Sequence, residues 1–443
     1  MWREWGMAIK AHRLIRCWHP SIFRGYECAD APSPTSCPGV FPLMTTPYSE
    51  NISKLQPSAT MAVSALAKKL ASEGRDIIDL SAGEPDFDTP AWISEAAIAG
   101  IRKGQTRYTP APGMPSLRKA VAQTTQAEAA PGWTVTADQV VVSAGAKQAL
   151  FNVCFSLFGP GDEVLVAGPY WTSYPEIISL ARAEPAFVSG AEEMDFRLTV
   201  ADLERVRTPR TRGLILCSPS NPTGAVYSLD ELRAVAGWAR EHNVILISDE
   251  IYRKISFREE GKAAPGLFQL APEELGSFVV IDGVSKSFAM TGWRIGWSIS
   301  DAGLAGKVGA LQSQTTSNPS TPAQVATLEA LTRTEDAEAA IREMVAAFRR
   351  RRDLVVQLVK ERLPHLSYVE PDGAFYLFLR VDAEYGGAMT GSQDWCASVL
   401  EETGVAFVPG SAFGDDRFVR MSYATSDEIL TEAIRRLAED RQG

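Results

Sequence analysis

Five short apolar runs, at 140–142, 163–166, 214–217, 244–247 and 278–281, recur through the middle of this chain, mostly with a helix-length amphipathic segment between one and the next. That alternation leaves few architectures open. Parallel strands cannot be joined by a tight turn, and strands that read as unbroken apolar runs are those buried on both faces. The expected fold is therefore α/β, with a large domain whose mainly parallel sheet is sandwiched by helices. One helix declares its own start. Ser228-Leu229-Asp230-Glu231 is a capping box, opening a helix that runs to about 241.

The flanks read differently. Met61, Ala65, Leu66 and Leu70 predict a helix that ends at Gly74, followed by a strand at 77–80 and a loop at 81–86, where Gly83 and Pro85 forbid regular structure. Helices over 91–103 and 116–130 are separated by the rigid loop Tyr108-Thr109-Pro110-Ala111-Pro112-Gly113. After about 321 come long helices, one over 337–363 with Ile341, Val345, Phe348, Val355 and Leu358 as its apolar stripe. Its cluster Arg349-Arg350-Arg351-Arg352 is expected on a solvated or subunit-facing surface. Short strands at 366–369, 375–379, 405–408 and 418–421, with helices at 393–402 and 426–438, complete a smaller α+β unit. The expected domains are 87–330 for the large one, and 48–86 with 331–443 for the smaller one. Residues 1–47 stand apart, with tryptophans and arginines followed by a Pro- and Ser-rich stretch. They are expected to be a disordered tail, or sequence upstream of a true start at Met44, ahead of a transit peptide.

A chain of 443 residues with 45% hydrophobic content can bury two substantial cores. Its formal charge of −10 and the lack of a basic stripe argue against nucleic acid, and no run of eighteen apolar residues suggests a membrane span. The six cysteines show no close pairing and no metal spacing, which favours reduced thiols in a cytoplasmic protein.

Lys286 follows the run 278–281 and the turn Asp282-Gly283, among small hydroxylated residues. An amine with a reference pKa near ~10.4 is inert at neutral pH, so a nucleophilic or Schiff-base lysine must sit where the cation is disfavoured. Arg294, eight residues on, carries a planar fork suited to phosphate. Together they suggest a phosphorylated aldehyde cofactor, against the alternative of a surface loop with two ordinary cations. Ligands of open α/β sheets bind outside the carboxyl ends of the strands, and Asp249, Asn221 and Gly145-Ala146-Lys147 occupy such strand exits. Taken singly, Asp249 also reads as a structural carboxylate, Asn221 as a turn residue and Trp171 as a core aromatic. Gly145 and Ala146 open a helix whose N–H groups suit an anion. Arg420, flanked by apolar strand residues, is either paired or meets a ligand.

SKSFAMTGWRIG, around Lys286, resembles the cofactor-lysine signature of class I aminotransferases of the pyridoxal-phosphate fold type I. SAGEPDFDTP, YTPAPG, AGAKQAL, PYWTSYPE, SPSNPTG, SDEIY, PDGAFY and VRMSYA also occur in that family's order, from about Ser53 onward. The resemblance implies pyridoxal 5'-phosphate on Lys286, with Asp249 at the pyridine nitrogen, and Asn221 and Tyr252 on the phenolic oxygen. It further implies Trp171 stacked on the ring, and Gly145, Ala146 and Arg294 around the phosphate. Tyr108 would reach the phosphate of a neighbouring subunit, which makes the expected assembly a homodimer with shared active sites. Arg420 would hold the substrate α-carboxylate beside Gly83, Trp171 and Asn221. Similarity to the one-beta branch of aspartate aminotransferases implies that Lys147 binds a distal carboxylate, with help from Ser58 and Thr60. The implied activity is ping-pong transfer of an amino group from aspartate to 2-oxoglutarate. Alternatives are transfer involving prephenate or neutral and aromatic amino acids, a lyase of the same fold, or a non-enzymatic sensor. Gln56 stands where prephenate-using members often carry a cation, and Gly283 stands where many relatives carry a phosphate-contacting serine.

Overall fold

The computed structural model describes residues 48–53 and 55–440, so the expectations for 1–47 lie outside the described residues. Its largest sheet has seven strands: β2 (Val140–Ser143), β3 (Glu163–Gly168), β4 (Glu184–Ser189), β5 (Thr211–Cys217), β6 (Ile245–Asp249), β7 (Phe278–Gly283) and β8 (Gly296–Ile299). They lie in the order β2-β8-β7-β6-β5-β3-β4. All neighbours are parallel except β8, which runs antiparallel to both β2 and β7.

Strand periodicity divides each run between two cores. Val141, Val164, Val166, Ile215, Ile247, Val279 and Ile281 enter one core, whereas Val140, Val142, Leu165, Leu214, Leu216, Leu246 and Val280 enter the other. The sheet is thus apolar on both faces, as its unbroken apolar runs require. The helix Leu229–Glu241 starts on the expected box: Ser228 Oγ accepts from Glu231 N, and a Glu231 carboxylate oxygen accepts from Ser228 N.

A four-stranded antiparallel sheet is built from β9 (Tyr368–Val369), β10 (Tyr376–Arg380), β12 (Val408–Pro409) and β13 (Phe418–Ser422). β1 (Ile78–Asp79) pairs in parallel with β11 (Val405–Ala406), tying the early segment to the late one. No helix among the described residues is long and apolar enough to cross a membrane.

The arginine cluster departs from expectation in part. On the helix Thr334–Arg362, Arg351 is only 8% exposed and forms a two-pronged pair with Asp86, at 2.7 and 2.8 Å. Arg349 donates to Phe257 O, Arg350 to Asp427 and Arg352 to Pro371 O. These arginines tie their helix to four other segments of the chain; Arg351 is withdrawn from solvent, whereas the Arg350 side chain stays 61% exposed, as a solvated face requires.

Candidate active site

Five parallel strands point their carboxyl ends at one edge, so the segments that follow them are brought together whatever their separation in sequence. β6 ends at Asp249, and β5, β7, β2 and β3 lead into Asn221, Lys286, the helix start at 145–147 and Trp171. They surround a cavity of about 420 Å³, which Gly83, Ala146, Lys147, Tyr252, Arg294 and Arg420 also line. Gly145 lies behind Ala146 against Arg294. Tyr108, like Gly145, is not among the lining residues, and it is 91% exposed.

Lys286 Nζ donates to Gly83 O at 2.5 Å. Desolvation draws its pKa down to about 8, with Glu84 opposing and Arg420 and Arg294 assisting. The ammonium is therefore close to losing its proton at neutral pH, the property a nucleophilic amine needs. Asp249, 4% exposed, has its carboxyl pushed up to about 6 by burial, against a 2.7 Å hydrogen bond from Tyr174 Oη. Such a carboxylate is poised to gain from a cation placed beside it.

Arg420 is 1% exposed. It donates from Nη1 to Asn221 Oδ1 at 3.0 Å and from Nη2 to Ser81 O at 2.8 Å, while its buried Nε has no partner among the described residues. No carboxylate among the described residues pairs with it. The contact also orients Asn221, whose Oδ1 is engaged and whose Nδ2 hydrogens remain for another acceptor.

Gly145 has φ +91°, and a Cβ there would fall 2.6 Å from Arg294 Nη2. Glycine thus lets the guanidinium close on the N-terminus of the helix Ala146–Leu157, putting a cation and free N–H groups side by side. Gly283 has a different reason. A Cβ there would meet Gly296 Cα and Ile295 O, each at 2.9 Å, so a serine does not fit this backbone. Ser285 is a buried wall residue of the cavity.

Lys147 Nζ lies 4.8 Å from the centroid of the Trp171 ring. Its pKa is lowered by desolvation and by Arg294, and no carboxylate among the described residues pairs with it. Ser58 and Thr60, their hydroxyls 2.9 Å apart, line the same cavity together with Lys68. Sequence reasoning missed Lys68, Tyr174 and Tyr376 as wall residues. Tyr174 and Tyr376 sit inside quoted motifs, but only the packing reveals which way a phenol points. Lys68 carried no signal beyond its place on an amphipathic helix.

This arrangement has known counterparts. Residues 75–437 match the family described as aminotransferase class I and II. The aspartate/prephenate aminotransferase of Cereibacter sphaeroides is 42% identical over 396 residues, covering 88% of this chain and 97% of that protein. The aspartate aminotransferase of Geobacillus stearothermophilus is 39% identical, covering 88% and 97%. Among solved structures, aspartate aminotransferase from Thermus thermophilus with maleate superposes with a TM-score of 0.83 at 40% identity, over 89% of this chain and all 100% of that one. The fold is accordingly fold type I, and the chain belongs to the class I and II aminotransferases.

Proposed function

We propose that this enzyme transfers the amino group of aspartate to 2-oxoglutarate with pyridoxal 5'-phosphate, by a ping-pong cycle, as a cytoplasmic homodimer. The carrying observation is a pair of cations, Arg420 and Lys147, that line one cavity and have no carboxylate partner among the described residues. Unpaired charges facing one pocket favour a ligand with two carboxylates, because a buried anion needs a counter-charge. The names of the relatives, and the maleate in the Thermus structure, point the same way.

The donor set fits the cofactor. Arg294 and the helix N-terminus behind Gly145 suit a phosphate, and Asp249 suits a protonated ring nitrogen. A volume of about 420 Å³ lies within the range of small-molecule sites. When bound, pyridoxal phosphate supplies an electron sink that makes the substrate Cα–H acidic. The protein's share follows from its own residues. Arg420 grips the α-carboxylate, Trp171 packs against the ring, and Asn221 and Tyr252 donate to the phenolic oxygen. Lys286, with its lowered pKa, would take the proton from the substrate Cα and return it to the carbon on the far side of the amino nitrogen, two bonds away. The partner's Tyr108 adds a donor to the phosphate. The pairing of β1 with β11 supports the proposed division into 87–330 and a smaller unit of 48–86 with 331–443.

The test is the half-reaction of Lys147→Ala over a panel of amino acids. Because Lys147 is still exposed to the open cavity, the loss expected for aspartate and glutamate is about 2 kcal/mol in transition-state binding, roughly 30-fold in kcat/KM. Alanine and phenylalanine should change little. Equal losses on all four would move Lys147 to the fold or the cofactor. A second reading, use of prephenate, is favoured by Lys68 on the cavity wall, a cation on the helix Ala59–Ser72 that follows Gln56 in sequence. A selective loss with prephenate in Lys68→Ala would establish it.

A further inference from the structure

Two phenols meet at the cavity wall. Tyr252 lies in the turn after β6, and Tyr376 is the first residue of β10; their hydroxyl oxygens are 2.8 Å apart and both side chains are buried. This hydrogen bond therefore joins a turn that follows the seven-stranded sheet to a strand of the four-stranded one. The ring of Tyr376 has a second neighbour. The Arg420 guanidinium carbon lies 4.3 Å from its centroid. Strand register explains this: Tyr376 faces Ser422 and Phe378 faces Arg420 across β10 and β13, which puts Tyr376 and Arg420 diagonally on one face.

A phenol has one proton, so a hydrogen bond between two phenols has a direction. Tyr376 Oη has no other hydrogen-bond partner among the described residues. Lys286 Nζ lies 5.8 Å from the Tyr252 ring centroid, which sets Tyr252 beside the reacting amine. If Tyr252 gives its proton to the phenolic oxygen of the cofactor, its own oxygen is left to accept. We propose that Tyr376 is a positioning residue that donates to Tyr252, thereby fixing the direction of the Tyr252 proton, while its ring supports Arg420. This rests on the pyridoxal-phosphate reading above.

Two consequences follow from the chemistry. A hydroxyl that accepts a hydrogen bond becomes a better donor, because bonds in a chain polarise one another. Removing the Tyr376 hydroxyl therefore weakens the support that Tyr252 gives to negative charge on the phenolic oxygen. The ring acts separately, since a cation over an aromatic face is held by the ring quadrupole and not by the hydroxyl. One side chain thus serves the cofactor through its oxygen and the substrate carboxylate through its face.

The experiment uses full-length protein loaded with pyridoxal phosphate, as wild type, Tyr376→Phe, Tyr376→Leu and Lys286→Ala. The pH midpoint of the visible absorbance change and the Kd of maleate are read for each, with melting temperature as a control. Tyr376→Phe should raise the midpoint by about 0.4 to 1 pH unit, the worth of one neutral hydrogen bond, and leave the maleate Kd within about twofold. Tyr376→Leu should show the same rise and also bind maleate about fivefold or more weakly, since the ring under Arg420 is gone. A wild-type midpoint in Tyr376→Phe overturns the proposal, even with a lowered melting temperature. If instead the wild type shows no absorbance change with pH, or Lys286→Ala retains it, the cofactor reading fails and the proposal fails with it.

Discussion

At the scale of the residue, Asp249 carries a cost that only its ligand can remove. Buried beneath the cavity, its carboxyl is pushed up to about 6, against about 3.9 for an unfolded chain. Folding therefore disfavours its ionised form. The penalty is absent below about pH 4, where both states are protonated, grows as pH rises, and is complete above about 6. Asp249→Asn keeps an acceptor for Tyr174 and removes the charge. Without cofactor, wild-type stability should fall by about 2–3 kcal/mol relative to Asp249→Asn between about pH 4 and 7, read by urea midpoints. Parallel pH curves would mean that the site stays solvated enough to hold the charge. With cofactor bound the order should reverse, because a protonated ring nitrogen pairs with the aspartate and not with the asparagine. Asp249 was legible in the sequence because it ends an apolar run, and so were Asn221 and Lys286, which follow such runs. Tyr174 and Tyr376 were not, since a buried phenol and a core aromatic look alike until the partner of the hydroxyl is known.

At the scale of the element, the loop 81–88 is held in place by the long helix Thr334–Arg362. Asp86 accepts two hydrogen bonds from Arg351, and the guanidinium also lies 5.4 Å from the Phe87 ring centroid. Gly83, whose carbonyl accepts from Lys286, sits three residues before Asp86 in the same loop. Arg351→Met keeps most of the stem packing and leaves Asp86, itself partly exposed, to water. The expected cost is about 2 kcal/mol in the denaturant midpoint, with a raised KM for amino acids as the loop loosens. An unchanged midpoint would reduce the pair to a surface ion pair. The helix itself was readable from its stripe. The fate of its arginines was not, because their partners at Asp86, Phe257, Pro371 and Asp427 are distant in sequence. Two strands were also illegible. β4 holds Pro185, which an edge strand tolerates, and β8 is a short antiparallel insertion directly after Arg294.

At the scale of the whole molecule, the site lacks one expected part. Tyr108 is 91% exposed on this chain, an uncommon place for an aromatic that a shared active site would use, unless a second copy covers it. Under the proposed homodimer it donates to the phosphate in the other subunit's cavity, so a Tyr108 loss on one subunit and a Lys286 loss on the other fall on the same site of a mixed dimer. Tyr108→Ala should weaken pyridoxal phosphate binding about 10- to 100-fold, the worth of one hydrogen bond to a charged group. Lys286→Ala leaves no amine to react. In a hybrid of the two variants, the subunit that keeps Lys286 receives the intact Tyr108 of its partner, whereas the other site lacks both groups. Half the sites should then regain wild-type affinity and turnover. If Tyr108 served its own subunit, each hybrid site would retain one defect and no activity would return. Sedimentation of the same mixtures separates this from failed assembly: recovery must track the dimer fraction, and wild-type turnover in a monomeric fraction would break the link between Tyr108 and a shared site.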